Sequence, residues 1–315
     1  MKLNPYSNVH NQALLGLYPF LLITVLFIVH YFFGTLELPD KGDLRSLRDF
    51  NTAIGMSLLS GYFWFCLQLN HKNVVSTLIS ILVKTNQLSH LNEHRRKLAY
   101  KFQLHCINCL ITAVFITVLY VLIENLFISD VQTYQYVIAV CAVLFWFLFF
   151  LFLIQSTTNV IYLRKQVLSQ TENYLDYLNS LASLARYSFV NATLSIGAVT
   201  LFPIFWFGKS IPMFDLVMAL SFSLVVVVYL FSPVLKLHSL WAKEKDQVTT
   251  KLHEKRESRS KRVEKYEQCE QELEYLGSLT MRLFRRRDKI RLIACVFLIS
   301  ISWSIAIFFS FNINS

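Results

Sequence analysis

Seven stretches of the chain are near-continuous apolar runs, and their lengths are those of membrane helices rather than of buried strands. They fall at about 13–34, 52–69, 104–127, 134–154, 190–207, 214–235 and 290–311. The last, Ile290 to Phe311, has no acid and carries Arg291 as its one charge, at the edge. The second is the least apolar and holds Gly55, Ser57, Ser60 and Gly61, small residues that let helices approach closely in lipid. Helical periodicity continues in the polar connections. It shows as Val75, Leu78, Ile79, Leu82 and Val83 within 70–103, as Leu168, Leu175, Leu178, Leu181 and Leu184 within 155–186, and as Val263, Tyr266, Leu273, Leu276, Leu279 and Leu283 within 263–288. The pattern predicts an all-α, polytopic membrane protein of one domain, 1–315, with seven transmembrane helices prolonged into a cytosolic anchor from 70–103, 155–186 and 236–289. It also predicts three continuities: 70–103 with the third span, 134–154 with a helix reaching Arg186, and a helix over Val263–Asp288 that feeds the last span after a break at Glu257–Ser260.

Composition strengthens this picture, because a hydrophobic fraction of 55% with only 16% charged residues exceeds what one soluble domain can display. The net charge of +10 is placed beside apolar runs and not among stacking aromatics, so it reads as membrane orientation and not as nucleic-acid binding. Counted on alternate sides of seven spans, Lys and Arg number 26 on one side and 4 on the other. The excess predicts a cytosolic N-terminus and an extracellular C-terminus. The first run is too long for a signal-peptide core and is expected to be retained. The six cysteines lie in apolar runs or, for Cys269, in the basic connector, so no disulfide framework is implied.

Several motifs have plainer explanations than their functional ones. Cys106 and Cys109 beside His105 have the spacing of half a zinc site, but no second pair accompanies them, and helix packing is the better reading; no metal or cofactor is expected. Asn191-Ala192-Thr193 fits a glycosylation sequon at the inner end of a span, out of reach of the transferase. Ser258 and Ser260 lie in a solvated charged connector. Glu124 and Asp215 are at span ends and no acid or Lys lies at mid-depth, which argues against a proton-coupled transporter. No hydrolase, phosphate-loop or metalloprotease motif is present, and the chain is not expected to be an enzyme.

Two constellations remain. Phe33, Tyr120, Tyr136, Trp146, Phe202, Phe205 and Trp206 fall in the middle or outer half of the expected bundle, where converging aromatics form an apolar small-molecule pocket, or else pack the core and face lipid. Tyr62-Phe63-Trp64-Phe65 falls in the inner half. On the last span Ser300, Ser304, Ile307 and Phe311 share one helical face, with hydroxyls below and an apolar constriction above, as a pore lining requires. Helix packing by small residues is the alternative for the serines.

The layout resembles the insect chemoreceptor superfamily of gustatory and odorant receptors. The features that carry the resemblance are seven helices with an inside N-terminus, short late outer connections such as Gly208–Pro212, cytosolic prolongations, and a last helix split into Val263–Asp288 and Ile290–Phe311. The chain is identified as a divergent gustatory-receptor-like member. The family's last-span signature, Thr-Tyr, five apolar residues and Gln-Phe, is replaced by Ser302-Trp303, six residues and Ser310-Phe311. The resemblance implies a ligand-gated cation channel subunit in a sensory-cell plasma membrane. It implies a homo- or hetero-tetramer joined through the anchor, where Tyr266, Leu273, Leu276 and Leu283 are the candidate contacts, with the last helix lining the pore and a small-molecule ligand in the outer half of the bundle. A transporter of an apolar solute and a non-conducting scaffold of the same fold are the alternatives.

Overall fold

The computed structural model describes residues 5–6, 16–37, 43–123, 132–171, 173–208, 212–258, 263–278, 281 and 286–313. No strand occurs among them. The α-helices are α1 (Leu17–Phe32), α2 (Leu44–Lys84), α3 (Leu91–Ile123), α4 (Thr133–Tyr162), α5 (Tyr174–Val199), α6 (Met213–Ser258), α7 (Val263–Ser278) and α8 (Arg286–Ile313). Among the described residues, five helical segments are long and apolar enough to cross a membrane: Arg45–Lys84, Leu88–Ile123, Thr133–Val167, Tyr174–Trp206 and Met213–Glu254. Leu17–Phe32 and Val296–Phe308 are shorter apolar helices. Phe32 is 79% exposed, Ile123 76% and Val140 70%, an apolar surface that lipid, and not water, suits.

With 41 and 46 residues, α2 and α6 run about 60 and 70 Å, twice the ~30 Å hydrocarbon core, so both continue well past a membrane. α2 is central and packs against α1, α4 and α5; α3 lies outside α4, α6 outside α5, and α8 against α5 and the turn that follows it. The core is built on Phe63 of α2, whose ring lies 5.3 Å from Phe149 and 5.8 Å from Phe152 of α4. Small residues bring neighbours close, as expected of the second run. A Cβ added at Gly61 would come within 2.3 Å of Ile23 and 3.1 Å of the Pro19 carbonyl oxygen on α1.

The ends of the helices fall into two layers. At one end Asn51 Nδ2 donates to the Phe207 carbonyl at 2.6 Å and Gln135 Nε2 to Asp49 at 3.4 Å. At the other, Lys84 Nζ donates to Ser183 Oγ at 3.1 Å, His94 Nδ1 bonds the Tyr162 hydroxyl at 2.8 Å, and the Tyr174 hydroxyl bonds Glu272. The helix ends near residues 51, 132 and 207 therefore share one side of the molecule, opposite those near 85, 173 and 272.

The three expected continuities are each interrupted. α2 carries the second run and the first half of 70–103 as one helix, then stops where Asn86 takes φ 55° and Gln87 N–H bonds back to the Leu82 carbonyl at 2.8 Å. Only the part from Leu91 joins the third run. α4 ends at Tyr162, passes through a π turn (Leu163–Val167) and a 3₁₀ turn (Leu168–Gln170), and the chain restarts as α5 with Asn173 capping it, Oδ1 accepting from Leu175 N–H at 3.0 Å. The charged helix stops at Ser278, and Met281 lies outside regular helix before α8 begins at Arg286. The fifth run finishes as a 3₁₀ turn, Phe202–Trp206, because Pro203 cannot continue α5's hydrogen bonding.

Candidate functional site

α8 is divided lengthwise, since each residue turns the helix by about 100°. Its docking side is formed by Ser302, Trp303 and Ala306. Ser302 Oγ donates to the Thr200 carbonyl at 2.6 Å, while Trp303 is 9% exposed and Ala306 2%. The Trp303 ring lies 6.1 Å from that of Trp206, whose Nε1 donates to Asp215 Oδ2 at 3.3 Å. A second side is apolar and exposed, with Phe297, Ile301, Ile305 and Phe308 at 66, 41, 47 and 65%. Between them lies the predicted pore face: Ser300 and Ser304 are exposed and Ile307 is 38% exposed. Ser300 Oγ donates to the Val296 carbonyl at 3.1 Å, which satisfies its proton inside the helix and leaves the oxygen free to accept. The side chain of Phe311 lies outside the described residues. The two serines therefore do not serve packing within the chain; Ser302 does, and so does Trp303.

The predicted pocket aromatics separate into three groups. Trp146 stacks on Phe150 at 5.6 Å and touches Phe149, which lies 5.7 Å from Phe222; Phe222 in turn stacks on Phe202 at 6.2 Å. Trp206 stands beside Trp303 and, at 6.3 Å, Phe205, whose ring fills the space above Gly55. Phe33, Tyr120 and Tyr136 are 47, 43 and 56% exposed. Trp146 and Phe202 are thus linked through rings that sequence reasoning did not single out, Phe149 and Phe222.

Of the expected anchor residues, Leu276 is buried to 1% within its own chain and Leu273 packs on the same core. The side chain of Tyr266, and Leu283 as a whole, lie outside the described residues. Tyr174 and Asn179 of α5 reach α7 through Glu272 and Tyr275. The stripe on α7 is used, at least at Leu276, to hold α7 on its own chain.

Sequence reasoning missed a buried polar layer at one end of the apolar runs. Asn70 is its hub. Its Oδ1 accepts from the Tyr187 hydroxyl and from Asn191 Nδ2 at 3.2 Å, and its own Nδ2 lies 3.5 Å from Ser156 Oγ. Alongside, the Tyr6 hydroxyl donates to Gln155 Oε1 at 3.1 Å and Gln155 Nε2 to His105 Nδ1 at 2.9 Å. Tyr6 and Asn70 are fully buried and Asn191 is 1% exposed. Asn191 is therefore a helix-joining amide and no glycosylation acceptor, and His105 bonds an amide while Cys109 is buried. The signal in the sequence was positional: Asn70, His105, Gln155 and Asn191 each fall at or just beside the limit of an apolar run. Farther from the apolar runs, burial holds His94 below its ordinary pKa, with Lys97 adding to the effect, and pushes the Tyr162 hydroxyl up to about 12. Both groups of that pair therefore stay neutral at physiological pH. Comparison with protein-family models, with curated proteins and with solved structures finds no match to this chain.

Proposed function

We propose that the chain is a seven-span, receptor-like subunit of a ligand-gated cation channel, of the insect chemoreceptor type, placed in the plasma membrane with its N-terminus in the cytosol. α1 and α8 are the two spans beyond the five long helices. The observation that carries this reading is the lengthwise division of α8, whose hydroxyl face is exposed while its neighbouring faces are committed to docking and to apolar contact. In a homo- or hetero-tetramer, four such faces turned inward give a narrow path with hydroxyls below and an Ile307 ring above, which closes by dewetting. A small apolar ligand among Trp146, Phe202 and their linking rings bears on α8 through the 202–206 turn and the Trp206–Trp303 contact. Because Leu276 is covered within its own chain, subunits meet through α8, and α7 braces each subunit from below.

The test is current recorded from the chain expressed alone and with a receptor of that superfamily, during a screen of tastants and odorants. Cysteine introduced as Ser304→Cys or Ile307→Cys should make the current sensitive to a water-soluble thiol reagent, whereas Ala306→Cys on the docking side should leave it unchanged. Indifference at Ser300, Ser304 and Ile307 alike removes the path from α8.

A further inference from the structure

Between α4 and α6 lies a cavity of about 130 Å³ whose lining includes Arg164 and Lys236. No carboxylate lines it, and among the described residues no ion pair or hydrogen bond occupies either cationic head group. Glu244, which shares Tyr177 as a neighbour with Arg164, lies eight residues beyond Lys236, about 12 Å along α6. Two unpaired cations lining one cavity give it a positive potential, which favours a bound anion. The Ser232 hydroxyl adds a donor at the rim.

The local backbone sets this cavity. Arg164 lies in the π turn Leu163–Val167, a distortion often found at functional sites. Opposite it, Pro233 sits inside α6 and removes one helical hydrogen bond. The floor is apolar and closed, with Val160 2% and Leu237 1% exposed. Above the cations the molecule is apolar and open. Phe222, Val225 and Tyr229 lie three, four and seven residues apart up to Lys236, on one face of α6, and are 41, 65 and 44% exposed. Lys236 follows the apolar run 214–235 directly, so the cavity sits where a bilayer's phosphates lie, with an acyl-sized apolar track above it.

We infer that the Arg164–Lys236 cavity binds the phosphate of an anionic phospholipid, whose chains lie along Phe222, Val225 and Tyr229. The inference needs only that the chain resides in a bilayer, and it stands apart from the conduction reading. Basic pockets between membrane helices hold such headgroups through the charges that also draw polybasic segments to anionic membranes.

The experiment uses the full chain in nanodiscs of phosphatidylcholine containing a minority of phosphatidylglycerol, with retained lipid identified by native mass spectrometry after transfer to detergent. The wild type should retain phosphatidylglycerol in excess of its share. Arg164→Gln with Lys236→Gln should weaken retention roughly 30-fold, about fivefold for each charge removed, while Arg164→Lys with Lys236→Arg should keep it. Lys72→Gln with Lys243→Gln removes the same charge from exposed positions elsewhere and should change nothing. If the double Gln variant is recovered aggregated, Lys236→Gln alone, at an exposed side chain, is read for its fivefold loss. Undiminished retention in the Gln variants, or an equal loss in the Lys72/Lys243 control, overturns the site. Glycerol phosphate and inorganic phosphate are added as competitors in pure phosphatidylcholine discs doped with a trace of phosphatidylglycerol. Displacement at low concentration assigns the cavity to a soluble anion and overturns the lipid; failure to displace supports it.

Discussion

Asn70 shows how one amide fixes the register of three helices. Its carbonyl oxygen takes two donors from α5 and its amide faces Ser156 of α4. In a dry interior an unmade bond is penalised more than a made one is rewarded, so the loss of a partner counts by what it strands. Tyr187→Phe leaves Asn70 with Asn191 still donating and should lower stability by about 1 kcal/mol. Asn70→Leu strands the Tyr187 hydroxyl, Asn191 and Ser156 together and should cost about 3 kcal/mol or more. Thermal unfolding in detergent orders the two variants; a Tyr187→Phe protein less stable than Asn70→Leu would remove Asn70 as the hub. The charges at positions 93 and 97 make a useful contrast, since Glu93 and Lys97 pair at 2.6 Å on an exposed surface, where such pairs contribute little.

At the scale of elements, α1 is held by close approach more than by extent. It is a 16-residue helix, about 24 Å long, and Pro19, Leu26 and His30 are its buried residues. Gly61 lets α2 run against it with no side chain between, and the Pro19 carbonyl cannot move aside as a flexible side chain would. Gly61→Ala should therefore push α1 outward and destabilise the chain by about 1–3 kcal/mol. A cysteine pair bridging α1 and α2 near this contact should cross-link readily in the parent and slowly in the variant; equal rates would show that α1 is held elsewhere. The apolar runs, the small-residue contact and the break near Ser258 were legible in the sequence because each follows from composition or helical period. The interruptions at Asn86, Asn173 and Ser278 were not, since apolar spacing carries on across them, while at Asn86 one left-handed residue follows the end of α2 and at Asn173 one side chain starts α5 anew. The α8 serines were legible as a face, but which serine docks depended on where α5 and the 202–206 turn come to lie. The buried amides were visible only as polar residues at the limits of runs.

For the whole molecule, the two layers of helix ends give the charge count a geometric frame. Lys84, Arg164, Lys236, Lys243, Lys245 and Lys251 fall toward the end that includes Ser183 and Glu272, and Arg45 and Arg48 toward the end that includes Phe207. The sequence's excess of Lys and Arg, 26 against 4 over the seven expected spans, should hold that basic end in the cytosol. A tag at the N-terminus should be reached by antibody only after permeabilisation, and one at the C-terminus on intact cells. Surface labelling of the N-terminal tag would invert the molecule, and with it the outer placement of the aromatic cluster. Tyr6, finally, has a consequence for the making of the protein. Its acceptor Gln155 is 149 residues downstream, and at roughly 5–20 residues per second a ribosome takes on the order of ten to thirty seconds to reach it. Through that interval the Tyr6 hydroxyl lacks this acceptor, although His71, whose ring lies 5.1 Å from its own, is already made, so the seat of residue 6 is completed only when α4 arrives.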